Sequence, residues 1–213
     1  MPSRAHIARQ LVSICHRLYE RGLVTATDGN VSARLGHGRL LVTPTGLNKG
    51  KLTARDLVEV DAEGMRAGGP RPATTELGMH LFIYRERPDV QAVVHAHPPY
   101  ATGFAVAHLP LTAPLLPEVI IGLGEIPLAP YGTPSTPELV ETLIPFVKTA
   151  NAILLGNHGA VTLGGSLEEA YFRMEKVEQA ACIAFVARLL GGEKPLAALD
   201  VEKLHALVGK SQG

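Results

Sequence analysis

Residues 31–43 constrain the fold more than any other stretch. Val31 to Leu35 reads as a strand with a β-branched start, Arg39 to Thr43 as a second, and Gly36-His37-Gly38 stands between them. Two such runs around a glycine-flanked turn read as a β-hairpin. A hairpin pairs its strands antiparallel, which excludes a sheet built only from βαβ units. Helical patterns surround it. Ile7, Leu11, Ile14 and Leu18 recur at helical spacing in residues 4–21, and Gly22 stops that run. Ser166-Leu167-Glu168-Glu169 reads as a capping box opening the longest helix, to about Leu190.

The remaining chain alternates in the same mixed way. Strands are predicted over 57–61, 90–97, 125–130, 152–156 and 160–163. Helices are predicted after Thr74-Thr75 to about Arg87, over 102–108, and from Thr136-Pro137 to about Thr149, with a final short helix capped by Asp200. Residues 62–72, rich in Gly and Pro, read as loop, and 109–118 as irregular. No repeat, low-complexity tract or linker divides the 213 residues, so residues 1–213 read as a single α/β domain whose sheet contains antiparallel pairs with helices on both faces.

Composition closes off several functions. Twenty basic and twenty acidic side chains cancel, so there is no basic field for nucleic acid or an anionic membrane. No run of about 18 uncharged apolar residues offers a membrane span. The first residues, Met1-Pro2-Ser3-Arg4-Ala5-His6, lack the apolar core of a secretory leader, and Cys15 and Cys182 lie in helical patterns as small hydrophobes. Together these predict a cytoplasmic protein.

Nine histidines are the compositional oddity. His95-Ala96-His97 ends an apolar strand, and the period of two puts both imidazoles on one face, with Cα atoms about 7 Å apart. Neutral imidazole suits first-row cations, and two such rings can converge on one ion with bonds of about 2.0–2.1 Å. Two edge histidines on a solvated face explain the pair nearly as well. His158, in the turn Asn157-His158-Gly159 between two apolar strands, adds a third donor or a water-exposed turn residue. Three histidines with a carboxylate from a helix start would make a catalytic rather than a structural site, because a coordination position stays open.

No Walker loop or dinucleotide fingerprint occurs; Gly122-Leu123-Gly124 lacks the third glycine. Three small uncharged clusters appear instead: Gly29-Asn30, Thr45-Gly46 and Thr74-Thr75. Turn and helix-start amides can face an anion there, although ordinary turn and cap chemistry accounts for each cluster alone. Glu76 can likewise be read as a first-turn carboxylate answering the helix dipole.

Taken together and in order, these stretches resemble the class II aldolase and adducin-head family, most closely its zinc-dependent L-fuculose-phosphate aldolase branch. The resemblance rests on Thr27-Asp28-Gly29-Asn30-Val31-Ser32-Ala33-Arg34, Leu41-Val42-Thr43-Pro44-Thr45-Gly46, Thr74-Thr75-Glu76, Ala92-Val93-Val94-His95-Ala96-His97, Ala129-Pro130-Tyr131 and Asn157-His158-Gly159. It implies a three-layer α/β/α domain around a mostly antiparallel sheet and a homotetramer with sites at subunit interfaces. It also implies Zn²⁺, or another divalent first-row metal, on His95, His97 and His158, with Glu76 closing the resting site and acting as acid/base. A substrate phosphate would sit on Gly29, Asn30, Thr45, Gly46, Thr74 and Thr75.

The implied activity is a metal-dependent aldolase. It would act on a phosphorylated ketose through a metal-stabilised enediolate and release dihydroxyacetone phosphate and an aldehyde. Two departures bear on that. The aldolases use an interface tyrosine where gapless alignment gives Leu116, and a second near the C-terminus, where nothing aromatic follows Phe185. Both handle the aldehyde half. Glu118, two residues after Leu116, is the candidate substitute acid, with Tyr131 and Tyr100 as others. A lone carboxylate before Val119-Ile120-Ile121 reads equally as a strand edge or surface loop. The alternative is the same scaffold serving as a sugar-phosphate dehydratase, decarboxylase or epimerase. Epimerases of the family usually carry Asp at the position of Glu76. A non-enzymatic adducin-like binding head needs none of the metal set.

Overall fold

The computed structural model describes residues 3–210. One eight-stranded sheet organises them: β1 (Asn30–Gly36), β2 (Arg39–Val42), β3 (Val58–Val60), β4 (Arg66–Gly68), β5 (Ala92–Ala96), β6 (Leu128–Ala129), β7 (Ala152–Leu155) and β8 (Gly159–Gly164). Their order across the sheet is β4-β3-β2-β1-β5-β8-β7-β6. All neighbours are antiparallel except β6 and β7. The β1–β2 hairpin forms as the sequence requires, with Ala33 opposite Leu41.

Alternation along the strands feeds two cores. Val31, Ala33, Leu41, Ala92, Val94, Ala152, Leu154 and Ala160 face one side, against α1 (Arg4–Glu20), α3 (Pro99–Val106) and α6 (Leu167–Leu189). Leu40, Val42, Val58, Val60, Val93, Ile153, Leu155, Val161 and Leu163 face the other, with side chains of α2 (Leu77–Glu86) and α5 (Pro137–Leu143). The result is the three-layer α/β/α arrangement expected. Strands covered on both faces lose the polar alternation of a one-sided sheet, which is why β5 and β8 are apolar almost throughout. Truncating a fully buried contributor such as Leu41 or Ile153 should cost about 2–5 kcal/mol.

Helix ends follow local chemistry. Ser3 Oγ accepts from the His6 amide to start α1, and Gly22 leaves it at φ +68°. At α6, Ser166 Oγ accepts from Glu169 N, and the Glu169 carboxylate accepts from Gly165 N at 2.7 Å.

Four expectations fail locally. Residues 66–68 form β4 rather than loop; an exposed edge strand needs no apolar residues, so hydropathy gives no sign of it. Val119-Ile120-Ile121 lies in a helix, α4 (Pro117–Gly122), and not at a strand edge. Pro117 at its first turn and burial of Ile120 override the β-branched composition. α5 stops at Leu143: Ile144 keeps helical angles, but Pro145 brings no N–H to carry the hydrogen-bond ladder on. Asp200 lies in the first turn of α7 (Ala198–Lys210) instead of capping it.

Candidate metal centre

His95 occupies the penultimate position of the central strand β5 and is completely buried, on the same face as Val93. Its Nδ1–H donates to the Ala160 carbonyl of β8 at 2.9 Å, which leaves Nε2 as a bare lone pair. His97 follows the strand, and its Nε2 lies 3.1 Å from His95 Nε2. His158 arrives from the β7–β8 turn, where Asn157 takes the left-handed φ of +53°. Gly159 permits the approach: a Cβ there would lie 2.6 Å from His97 Cδ2 and collide with the Ala96 carbonyl. The three ring centroids are 4.7–5.1 Å apart, and one ligand atom from each ring lies within 4.8 Å of the others.

Glu76 precedes α2 and is 9% exposed. Its Oε2 stands 3.2 Å from His95 Nε2, and its Oε1 3.2 Å from His158 Nε2. Tetrahedral ligands bound at 2.0–2.1 Å are separated from one another by about 3.3 Å, so these spacings suit one small cation. Glu76 Oε1 and His158 Nδ1 are buried without a hydrogen-bond partner, an expensive arrangement for a purely structural cluster. The donor set therefore fits a divalent first-row metal. Burial, first of all, depresses the basicity of His95, His97 and His158; the neighbouring imidazoles lower His95 further, Asp28 and Glu76 oppose the shift at His97, and at His158 Glu76 opposes it while His97 adds to it. Neutral rings keep their lone pairs for metal.

The three uncharged clusters come together beside this centre. The segment after β2 pairs with the one before α2: Thr74 N donates to Thr43 O at 3.0 Å, Thr45 N to Pro72 O at 3.2 Å, and Pro44 bridges Ala73. Asn30 is buried and its Nδ2 donates to Glu76 Oε2 at 2.7 Å. Gly29, at φ +70°, packs so closely on the β5 backbone that a Cβ would lie 2.8 Å from the His95 carbonyl oxygen. Thr74 is buried and its Oγ1 accepts from Glu76 N at 3.3 Å, whereas Thr45, Gly46 and Thr75 are exposed. Lys49, which sequence reasoning passed over, is buried and donates to the Thr27 and Leu47 carbonyls at 2.9 Å each, tying two of these loops together.

Glu118 is not among these groups. It lies exposed in the first turn of α4, and its carboxylate makes no hydrogen bond or ion pair among the described residues; only its backbone carbonyl accepts, from Lys176 Nζ at 3.3 Å. Leu116 precedes that helix, half-buried, and Tyr131 and Tyr100 are exposed.

Sequence reasoning also missed His80, Ser32 and Tyr84. His80 is fully buried behind Glu76, its Nε2 bonded to Asn30 Oδ1 and its Nδ1 lying 2.6 Å from Ser32 Oγ, with Tyr84 Oη 2.9 Å beyond. Spacing was the available signal, since His80 follows Glu76 by one helical turn.

Residues 9–185 match the family described as the class II aldolase and adducin N-terminal domain. The 3-oxo-tetronate 4-phosphate decarboxylase of Escherichia coli K12 is 32% identical over 205 residues, covering 94% of each chain. The L-fuculose phosphate aldolase of Haemophilus influenzae is 31% identical over 208 residues, 98% of this chain and 94% of that one. The crystal structure of YgbL from Klebsiella pneumoniae superposes with a TM-score of 0.88 at 32% identity, over 96% of this chain and all of the other.

Proposed function

This chain belongs to the class II aldolase and adducin N-terminal domain family, and from that membership we propose that it is a metal-dependent decarboxylase of a phosphorylated 3-oxo acid such as 3-oxo-tetronate 4-phosphate. The observation that carries the choice is the similarity to curated decarboxylases across nearly the whole chain. It joins the departure noted at Leu116. An aldolase must manage a proton on the departing aldehyde, whereas departing CO₂ needs no such acid.

A cation on His95, His97 and His158 would supply Lewis acidity at the ketone carbonyl. The protein's own groups do the rest. Asn30, Gly29, Thr45, Gly46, Thr74 and Thr75 bind the phosphate with uncharged donors and fix the ketone beside Glu76. The C1–C2 bond breaks, CO₂ leaves, and the electron pair passes into the C2–C3 enediolate. Glu76 then delivers a proton to C2, giving dihydroxyacetone phosphate. The sequence-based aldolase reading passes through the same enediolate and the same product, so the two differ in the fragment that leaves.

The aldolase remains the second reading, favoured by the L-fuculose phosphate aldolase relatives. It requires an acid for the aldehyde, and Glu118 is then the candidate, reaching a neighbour's site across an interface. A cytoplasmic homotetramer belongs to both readings; exposed Tyr100, Phe185 and Leu189 offer apolar surface for subunit contact, and light scattering measures the assembly. Among the described residues no helix is long and apolar enough to cross a membrane.

The deciding experiment supplies the metal-loaded protein with 3-oxo-tetronate 4-phosphate or with L-fuculose 1-phosphate. Release of CO₂ and dihydroxyacetone phosphate from the first is expected. Aldehyde release from the second, with no CO₂ from the first, would replace the decarboxylase with the aldolase.

A further inference from the structure

Behind Glu76 runs a line of buried polar groups whose hydrogens can be assigned from one end. Carboxylate oxygens accept, so the Asn30 edge 2.7 Å from Glu76 Oε2 is the NH₂ edge. Asn30 Oδ1 therefore faces His80 Nε2, which must carry a proton. His80 Nδ1 is then bare and accepts the hydroxyl proton of Ser32 at 2.6 Å. Ser32 has given its only proton, so Tyr84 Oη–H donates to Ser32 Oγ at 2.9 Å. All four bonds point toward the carboxylate, and each polarises the next. Burial pushes His80 down to about 4, which keeps the ring neutral and this order of donors intact near neutrality.

We infer that His80 is a positioning residue: it fixes which edge of Asn30 faces the site, and through Asn30 it holds the Glu76 carboxylate toward His95 and His158. If the Asn30 amide turned over, its oxygen would confront the carboxylate and its NH₂ would meet the His80 N–H. Both bonds would become repulsions in a region from which water is excluded. The same turn would present an acceptor where the proposed phosphate pocket needs a donor. The inference deepens the reading of Glu76 as the proton-transferring group and rests on it for its catalytic consequence only.

Three variants test it: His80→Gln, whose amide nitrogen can take the place of Nε2 and donate; His80→Phe, which fills the volume and donates nothing; and Ser32→Ala. His80→Phe should keep the bound metal yet lower kcat for 3-oxo-tetronate 4-phosphate about 10–100-fold, as loss of an outer partner does. His80→Gln should recover most of that loss, and Ser32→Ala should fall between. Hydrogen exchange of the Asn30 side-chain amide, followed by NMR without substrate, gives a readout independent of turnover: slow in the parent and His80→Gln, fast in His80→Phe. If no decarboxylation is found but this exchange pattern holds, the positioning role stands and the activity reading falls. Equal losses of kcat and of protection in the Gln and Phe variants, or protection unchanged in His80→Phe, would overturn the inference. Should His80→Phe not fold, Ser32→Ala decides: faster Asn30 exchange supports the role, and unchanged exchange refutes it.

Discussion

Around the end of β5, Asn30, Glu76, His80 and His95 are each between 0% and 9% exposed and are linked to one another through side-chain contacts. The segment from 109 to 124 is different: Leu109, Glu118 and Ile121 are exposed, and the Glu118 carboxylate bonds to nothing among the described residues. Glu76 and Glu118 both stand at helix starts, yet one is held by an amide and faces two imidazoles while the other is free to turn in solvent. The contrast separates two tasks. In the proposed reading, chemistry on the ketone falls to the rigid groups, and the exposed Glu118 carboxylate has no part to play, because departing CO₂ needs no acid.

The sharpest way to break the comparison is at the metal. His95→Ala removes a buried donor from a set already at the minimum of three, so elemental analysis should find the metal lost and activity with it. Full occupancy in that variant would move the ion elsewhere. Next in size is Glu76→Gln, which keeps the shape and loses the base. It should retain metal and phosphate binding while solvent proton exchange into dihydroxyacetone phosphate falls about 10²–10⁴-fold; unchanged exchange would place the base on another residue.

Stability against pH probes the rigid corner directly. His80 titrates near 4 in the folded protein and near 6.5 when the chain is unfolded, chiefly because of burial. Between those values the unfolded chain binds more protons, so stability is present above about 6.5 and is lost as pH falls toward 4, by about 3 kcal/mol from this residue. Urea titrations of the parent and His80→Gln should differ in slope across that window, the variant being the flatter; parallel slopes would show that His80 does not stay neutral. The smallest effect is expected at the exposed segment: Glu118→Gln should leave CO₂ release unchanged. A selective loss with L-fuculose 1-phosphate in the same variant would restore Glu118 as the aldehyde acid.

Much of the rigid corner was legible in the sequence because its signals are local. The period of two placed His95 and His97 together, and turn chemistry marked His158, Asn30 and Thr45. The hairpin at 36–38 excluded a wholly parallel sheet. What escaped depends on packing that pattern does not record. Strand β4 has no apolar face to announce it. Val119-Ile120-Ile121 carries strand composition inside a helix, because burial of Ile120 outweighs intrinsic preference. His80 and Tyr84 share one face of α2, but Ser32 lies on β1, and each resembles ordinary core until that helix docks on the sheet.

The position of β5 between β1 and β8 bears on how the molecule is born and how long it lasts. His95 and His97 meet His158 only after the β7–β8 hairpin has docked on β5, and Glu76 joins only when α2 has settled against the sheet. An unfolded chain scatters these donors and grips a cation weakly, so coordination is a late event that rewards completed long-range pairing. Each tenfold rise in free cation above the dissociation constant then deepens the native well by about 1.4 kcal/mol. Copies with the site filled would then reopen less often, and outlast proteases longer, than copies stripped of the cation.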